Sequence, residues 1–211
     1  DVQIGKTRWL EDLCASLQAA GTCVAGVVAP GQWVPRPEGQ PGGKHGFDGA
    51  GRFEKLGIDN VLLPQGERIE FARRRDLAAG GKAFAEGAQA KAAKLGWAIS
   101  DTAIAQVNAH FATLAKQAAN ETRLAPHAML VVDELGRLEL LRSCGLTNAL
   151  AILDAGPTPQ FPHAIAVVRE TLLDEARRRF EPRWGKATVI GPDDAARNLV
   201  LETARAAGGA H

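Results

Sequence analysis

The 211-residue chain sets 25 Lys and Arg against 24 Asp and Glu, a formal net charge of +1, with 45% hydrophobic and 23% charged residues. That balance suits one ordinary globular domain over residues 1–211, large enough to bury a core without staples, and offers no global field to draw in nucleic acid or an anionic membrane. No apolar run approaches the ~20 residues of a membrane helix, no secretory segment opens the chain, and Cys14, Cys23 and Cys144 are too scattered for a zinc site; the expectation is a cytoplasmic protein with reduced thiols.

In chain order, Leu10, Leu13, Cys14 and Leu17 recur at the spacing of one helical face, which predicts a helix over 7–19 with Gly21 as its stop. The β-branched run 22–29, bounded by Gly21 and Pro30, predicts a buried strand. Gly and Pro are dense from Pro30 to Gly66, so a Gly/Pro-rich loop and hairpin insertion is expected at about 30–75, its hairpin formed by Ile58–Leu63 and Ile69–Ala72 around Pro64, Gln65 and Gly66 and lying at a sheet edge. Asp101 is placed to cap a helix whose stripe is Ile104, Val107, Phe111, Leu114 and Ala118. Residues 128–132 form an uninterrupted apolar run, the pattern of a central parallel strand covered on both faces, and Asp133 and Glu134 are expected just past its carboxyl end. A helix near 144–154, a strand 164–168 ending at Arg169, a helix near 171–180, a strand 187–190 and a last helix from about 193 to 207 complete an α/β alternation. The expected architecture is a three-layer α/β fold with a mostly parallel sheet, its ligand at the carboxyl ends of the strands.

The strongest chemical signal is Gly5-Lys6-Thr7, directly before the first helix, which matches the end of the phosphate-binding pattern GxxxxGK[ST] with Asp1 to Ile4 as the four variable positions. A polyphosphate needs inward-pointing amides, the positive end of a helix and a flexible ammonium; Gly5 permits close approach, Lys6 supplies charge, Arg8 adds to the same turn, and the Thr7 hydroxyl is a ligand for Mg²⁺. The pattern's first glycine and the strand leading into it are expected upstream of Asp1. The competing reading is a Gly-Lys turn that merely starts a helix. The second signal is the apolar strand ending in Asp133-Glu134, a Walker B arrangement in which Asp133 holds the metal and Glu134 orients and deprotonates water, against a solvated loop start as the alternative.

Residues 131–140, VVDELGRLEL, resemble the DE-[IL]-G-x-[ML]-E-L signature of the thermophilic-type nucleoside-triphosphatase family, and a related bacterial P-loop domain family is similar as well. Further features agree in order: GKT near the start, Gly26-Val-Val, Gly46-Phe47-Asp48, Gly66-Glu-Arg leading to Ala72-Arg73, Gly96-Trp97 before the Asp101 helix, and Val167-Val168-Arg169 followed by Leu172. The resemblance implies a P-loop NTPase fold, Mg²⁺ and a nucleoside triphosphate, and it makes Glu139 the counterpart of the family's second acid.

Glu139 therefore positions water or a basic partner near the phosphates, or else caps the following helix. Arg169 reaches the γ-phosphate or forms a structural ion pair, and Arg137 is a second candidate for the phosphate role. Arg73, Arg74 and Arg75 form an anion-binding edge or a solvated face. The glycines at 39, 42, 43, 46, 49 and 51 read as a surface loop or lid, the five histidines show no metal spacing, the four tryptophans read as core or lid residues, and the loop 191–194 is where a base would be read. The expected activity is Mg²⁺-dependent hydrolysis of the γ-phosphate of ATP- or GTP-type nucleotides. The alternatives are a small-molecule or nucleotide kinase and a nucleotide-dependent switch with slow hydrolysis.

Overall fold

The computed structural model describes residues 5–35, 53–74, 87–88, 97–120 and 127–208. Helix α1 (Lys6–Ala19) buries Leu10, Leu13, Cys14 and Leu17, the four residues whose spacing predicted it. Each fully buried leucine contributes about 1.5–3 kcal/mol, and burial pushes the Cys14 thiol up to about 12, so it packs as a small neutral hydrophobe. The helix ends where Gly21 takes a left-handed φ of 85° and the Thr22 amide donates back to the Leu17 carbonyl.

Strand β1 (Val24–Val28) follows, buried along its whole length, then β2 (Gly31–Pro35), β3 (Phe53–Leu63), β4 (Glu67–Arg74) and β5 (Trp97–Ile99). Helix α2 (Asp101–Asn120) leads to β6 (Met129–Leu135), the short α3 (Arg137–Arg142) and α4 (Thr147–Ala155). Strand β7 (His163–Val168), a 3-10 turn at Glu170–Leu172, α5 (Leu173–Trp184) and α6 (Asp194–Gly208) complete the order.

The sheet runs β5-β4-β3-β1-β6-β7, with β2 also paired to β3. Strand alternation sorts its side chains into two cores. Ala25, Val27, Leu130 and Val132 face α2 and α4, while Val24, Val28, Met129 and Val131 face α1 and α6. The layers are thus helix, sheet, helix, as expected. Among the described residues no helix is long and apolar enough to cross a membrane.

Three expectations about the sheet are corrected. It is mixed rather than mostly parallel: β1–β6 and β6–β7 are parallel, whereas β1–β3, β2–β3, β3–β4 and β4–β5 are antiparallel. The hairpin is real, turning at Pro64–Gly66, yet it lies inside the sheet, because β3 pairs with β1 and β2 as well as β4, and β4 pairs onward with β5. Residues 187–190 form no strand, and Val189 stands 53% exposed. Their β-branched composition suits a strand, but a strand exists only against a neighbour, and the outer edge of β7 carries none among the described residues. The helix expected near 144–154 is preceded by a separate turn of helix, α3, broken at Ser143 with φ 50°. Gly46-Phe47-Asp48, the glycines from 39 to 51, Arg75, Gly96, His45 and His211 lie outside the described residues.

Candidate active site

The site is built where the start of α1 meets the carboxyl ends of β1, β6 and β7. Gly5 precedes α1 with φ 82° and ψ 14°, a left-handed conformation open to glycine and costly for a residue with a Cβ. Among the described residues no side chain caps this helix end, and its first turn holds no acid, so nothing described there offsets the positive end of the helix. The Lys6 ammonium, half-buried, donates to the Val168 carbonyl at 3.2 Å, which ties the start of α1 to the last residue of β7. Thr7 is half-buried, and Arg8 points to solvent.

Strand β6 runs three residues further than its apolar pattern, so Asp133 and Glu134 stand inside it rather than beyond its end. Met129 and Val131 face α1, and Asp133 continues that alternation, arriving beside Thr7. The ladder to β7 shifts register between Asp133 and Leu135, which makes Glu134 the extra residue and turns it outward.

Asp133 is 2% exposed. Its Oδ2 accepts the Ala29 amide at 3.0 Å, while Oδ1 is buried and has no hydrogen-bond partner among the described residues. Burial raises the carboxyl to about 6, against the Ala29 amide, which lowers it; the Glu134 charge adds to the rise, and Thr7 and Lys55 oppose it. Glu134 is held by Arg169, whose Nε donates to Oε1 at 2.9 Å, with side-chain exposures of 49% for Arg169 and 37% for Glu134.

The structure therefore brings together Lys6, Thr7, Asp133, Glu134 and Arg169, while Glu139 is held by backbone amides. Glu139, 6% exposed, accepts the Gly136 amide at 2.9 Å and the Leu146 amide at 3.1 Å, the first satisfying an amide at the start of α3. Burial raises its carboxyl and the Leu146 and Gly136 amides pull it back down. Both oxygens accept from backbone amides, the contacts that the capping alternative expects, and the Glu134 charge also reaches this carboxyl. Arg137 opens α3 exposed to solvent, and Arg73 and Arg74 pair with Glu70 and Glu54 instead of forming an open anion-binding edge. The loop 191–194 rests against the first helix through the Trp9 indole, which donates to the Asp193 carbonyl at 2.9 Å.

One residue of the site escaped the sequence reading. Lys55 of β3 pairs across the ladder with Trp33, and its ammonium lies 5.9 Å from the Trp33 ring and 5.7 Å from that of Trp97. Burial lowers its pKa, and the nearby Glu134 and Asp133 charges oppose that fall. A lysine in a strand of alternating character carries no signal of its own; what singles it out is the meeting of β2, β3 and β5, which the sequence does not print.

Comparison with protein families, with characterised proteins and with solved structures finds no match to this chain.

Proposed function

We propose that the protein is an Mg²⁺-dependent nucleoside triphosphatase that cleaves the γ-phosphate of ATP- or GTP-type nucleotides in a P-loop site. The observation that carries this reading is the Thr7–Asp133 junction: a buried carboxylate oxygen without a partner among the described residues, beside a hydroxyl, at the start of a helix that opens with Gly-Lys-Thr and is capped by no described side chain. Leaving a buried carboxylate oxygen unsatisfied is costly, and a hard cation with oxygen ligands is the occupant that removes the cost. Mg²⁺ is commonly held by one or two protein oxygens together with phosphate and water, which is what Thr7 and Asp133 offer. Bound there, the cation neutralises charge on the β- and γ-phosphate oxygens.

On this reading the amides of Gly5, Lys6, Thr7 and Arg8 and the Lys6 ammonium hold the phosphates, Lys6 exchanging the Val168 carbonyl for a stronger anionic acceptor. Arg169 turns from Glu134 to the γ-phosphate, which leaves the Glu134 carboxylate free to take a proton from water. The water oxygen bonds to the γ-phosphorus as the bond to the bridging oxygen breaks, and the electron pair leaves with the diphosphate.

The test is Mg²⁺-dependent phosphate release from ATP and GTP by the full-length protein, with Lys6→Ala and Glu134→Gln as variants. Lys6→Ala is expected to lose nucleotide binding, and Glu134→Gln to keep binding while losing at least about 100-fold in turnover. Normal hydrolysis by Glu134→Gln overturns the assignment of the base. Lys6-dependent binding without release replaces the hydrolase by the switch, or by the kinase if an added acceptor is phosphorylated.

A further inference from the structure

Lys55 sits on the carboxyl side of the sheet in a setting that packing alone does not explain. Its stem crosses the backbone of Gly31, where an added Cβ would lie 2.5 Å from the lysine Cε. Gly31 opens β2 two residues after Ala29, the residue whose amide holds Asp133. The two indoles of Trp33 and Trp97 flank the ammonium and fix its direction. Toward the acids the lysine forms no ion pair: Glu134 is engaged by Arg169, and Asp133 Oδ2 by the Ala29 amide. Half-buried, aromatic-walled and without a carboxylate partner among the described residues, this ammonium is a point charge close enough to the end of β6 to feel the Glu134 and Asp133 charges.

We propose that Lys55 binds the terminal phosphate of the nucleotide and so makes the site prefer a triphosphate over a diphosphate. The proposal rests on the nucleotide-binding reading above. Lys6 comes to the site on the start of α1, whereas Lys55 comes to it from β3, beside Gly31, itself two residues beyond the Ala29 amide that holds Asp133, and near enough for the Glu134, Asp133 and Arg169 charges to act on it. An anion reaching it must extend beyond the group held by α1, and in a nucleotide that group is the γ-phosphate. A compact, rotatable ammonium suits a phosphate oxygen, and Lys55 exchanges two ring contacts for a stronger charge-assisted hydrogen bond. As the ammonium moves to the phosphate it leaves the two rings, which changes their fluorescence.

The experiment measures ATP and ADP affinity, with Mg²⁺, for the full-length protein and its Lys6→Ala, Lys55→Met and Lys55→Arg variants, together with tryptophan fluorescence. Lys55→Met is expected to weaken ATP roughly 10- to 100-fold while ADP stays within about twofold, the scale of one charge-assisted hydrogen bond. Lys55→Arg retains most of the preference, and ATP but not ADP perturbs the emission of the unmodified protein. Unchanged ADP binding by Lys55→Met also shows that the variant is folded. An ATP-to-ADP ratio that is the same in Lys55→Met and the unmodified protein overturns the Lys55 proposal alone. If the unmodified protein binds neither nucleotide, or binds both without Lys6, the nucleotide reading itself fails.

Discussion

Replacing Asp133 by Asn is expected to stabilise the metal-free protein at pH 8 and to do so less, or not at all, near pH 4. The side chain is 2% exposed, and its carboxyl is raised from 3.8 to about 6. A carboxyl raised on folding binds its proton more tightly in the folded state. Stability therefore falls as pH climbs from the unfolded value through the folded one, and the full cost is present above about pH 6. At about 1.4 kcal/mol for each pH unit, that span amounts to about 3 kcal/mol, and burial this deep calls for no solvent discount. Asparagine keeps an oxygen for the Ala29 amide and presents its NH₂ to the Thr7 hydroxyl, so the substitution removes the charge without creating an obvious clash. Urea unfolding of both proteins in chelator, from pH 4 to pH 8, measures the difference directly. The gap between them is expected to open by about 3 kcal/mol in favour of Asp133→Asn as pH rises, while Mg²⁺ with nucleotide stabilises only the unmodified protein. A gap that does not vary with pH, or that widens toward acid, refutes the picture of a carboxylate buried at a cost for the sake of a cation.

Two further outcomes test the scaffold around it. Gly26 has φ 128°, and a Cβ there would lie 1.9 Å from the Val131 carbonyl oxygen across the β1–β6 ladder, so Gly26→Ala is expected to cost on the order of 4 kcal/mol or more, read as a collapse of the thermal midpoint or of soluble yield. Glu139→Ala strands the Gly136 and Leu146 amides and is expected to cost roughly 2–4 kcal/mol in denaturant unfolding while hydrolysis per folded molecule is retained; a folded variant without activity would return Glu139 to the chemistry.

What the sequence revealed and what it hid divide along the range of the interaction. Helix α1 and the stripe of α2 were legible because Leu10, Leu13 and Leu17, or Val107, Phe111 and Leu114, repeat at a period that local geometry alone imposes. The junction of Lys6 and Thr7 with Asp133 was legible because both motifs carry their chemistry in adjacent residues. Ladder partners are a different matter. Nothing within Ile58–Leu63 says that it pairs on both sides, and nothing within residues 187–190 says that no strand lies beside them. The continuation of β6 through Asp133 was hidden because polarity there mimics a strand end, whereas the Ala29 amide and the bulge at Glu134 keep the chain extended to Leu135. Glu139 lies between the two cases: a glutamate in the first turn of a helix suits its amide-rich start, the same glutamate fits the signature the segment resembles, and its two bonds to backbone amides could be seen only in the fold.

The proposed chemistry gives a reason for the weak ties that hold the functional groups in the unliganded protein. Glu134 and Arg169, each more than a third exposed, form a pair of the kind that contributes about 0–1 kcal/mol. Lys6 rests on one carbonyl at 3.2 Å, and Lys55 rests on two indole faces. A charge-assisted hydrogen bond to phosphate is stronger than any of these, at about 1.5–3 kcal/mol. On the proposed chemistry each cation would leave its present partner when a triphosphate arrives, and Glu134 would be released as Arg169 departs. Asp133 is the exception, fixed by burial and by the Ala29 amide whether or not ligand is present. The rigid part of the site is thus the part that would hold the metal, and the exchangeable part is the part that would answer the phosphate. On this arrangement the base becomes available only once the anion that needs it is bound.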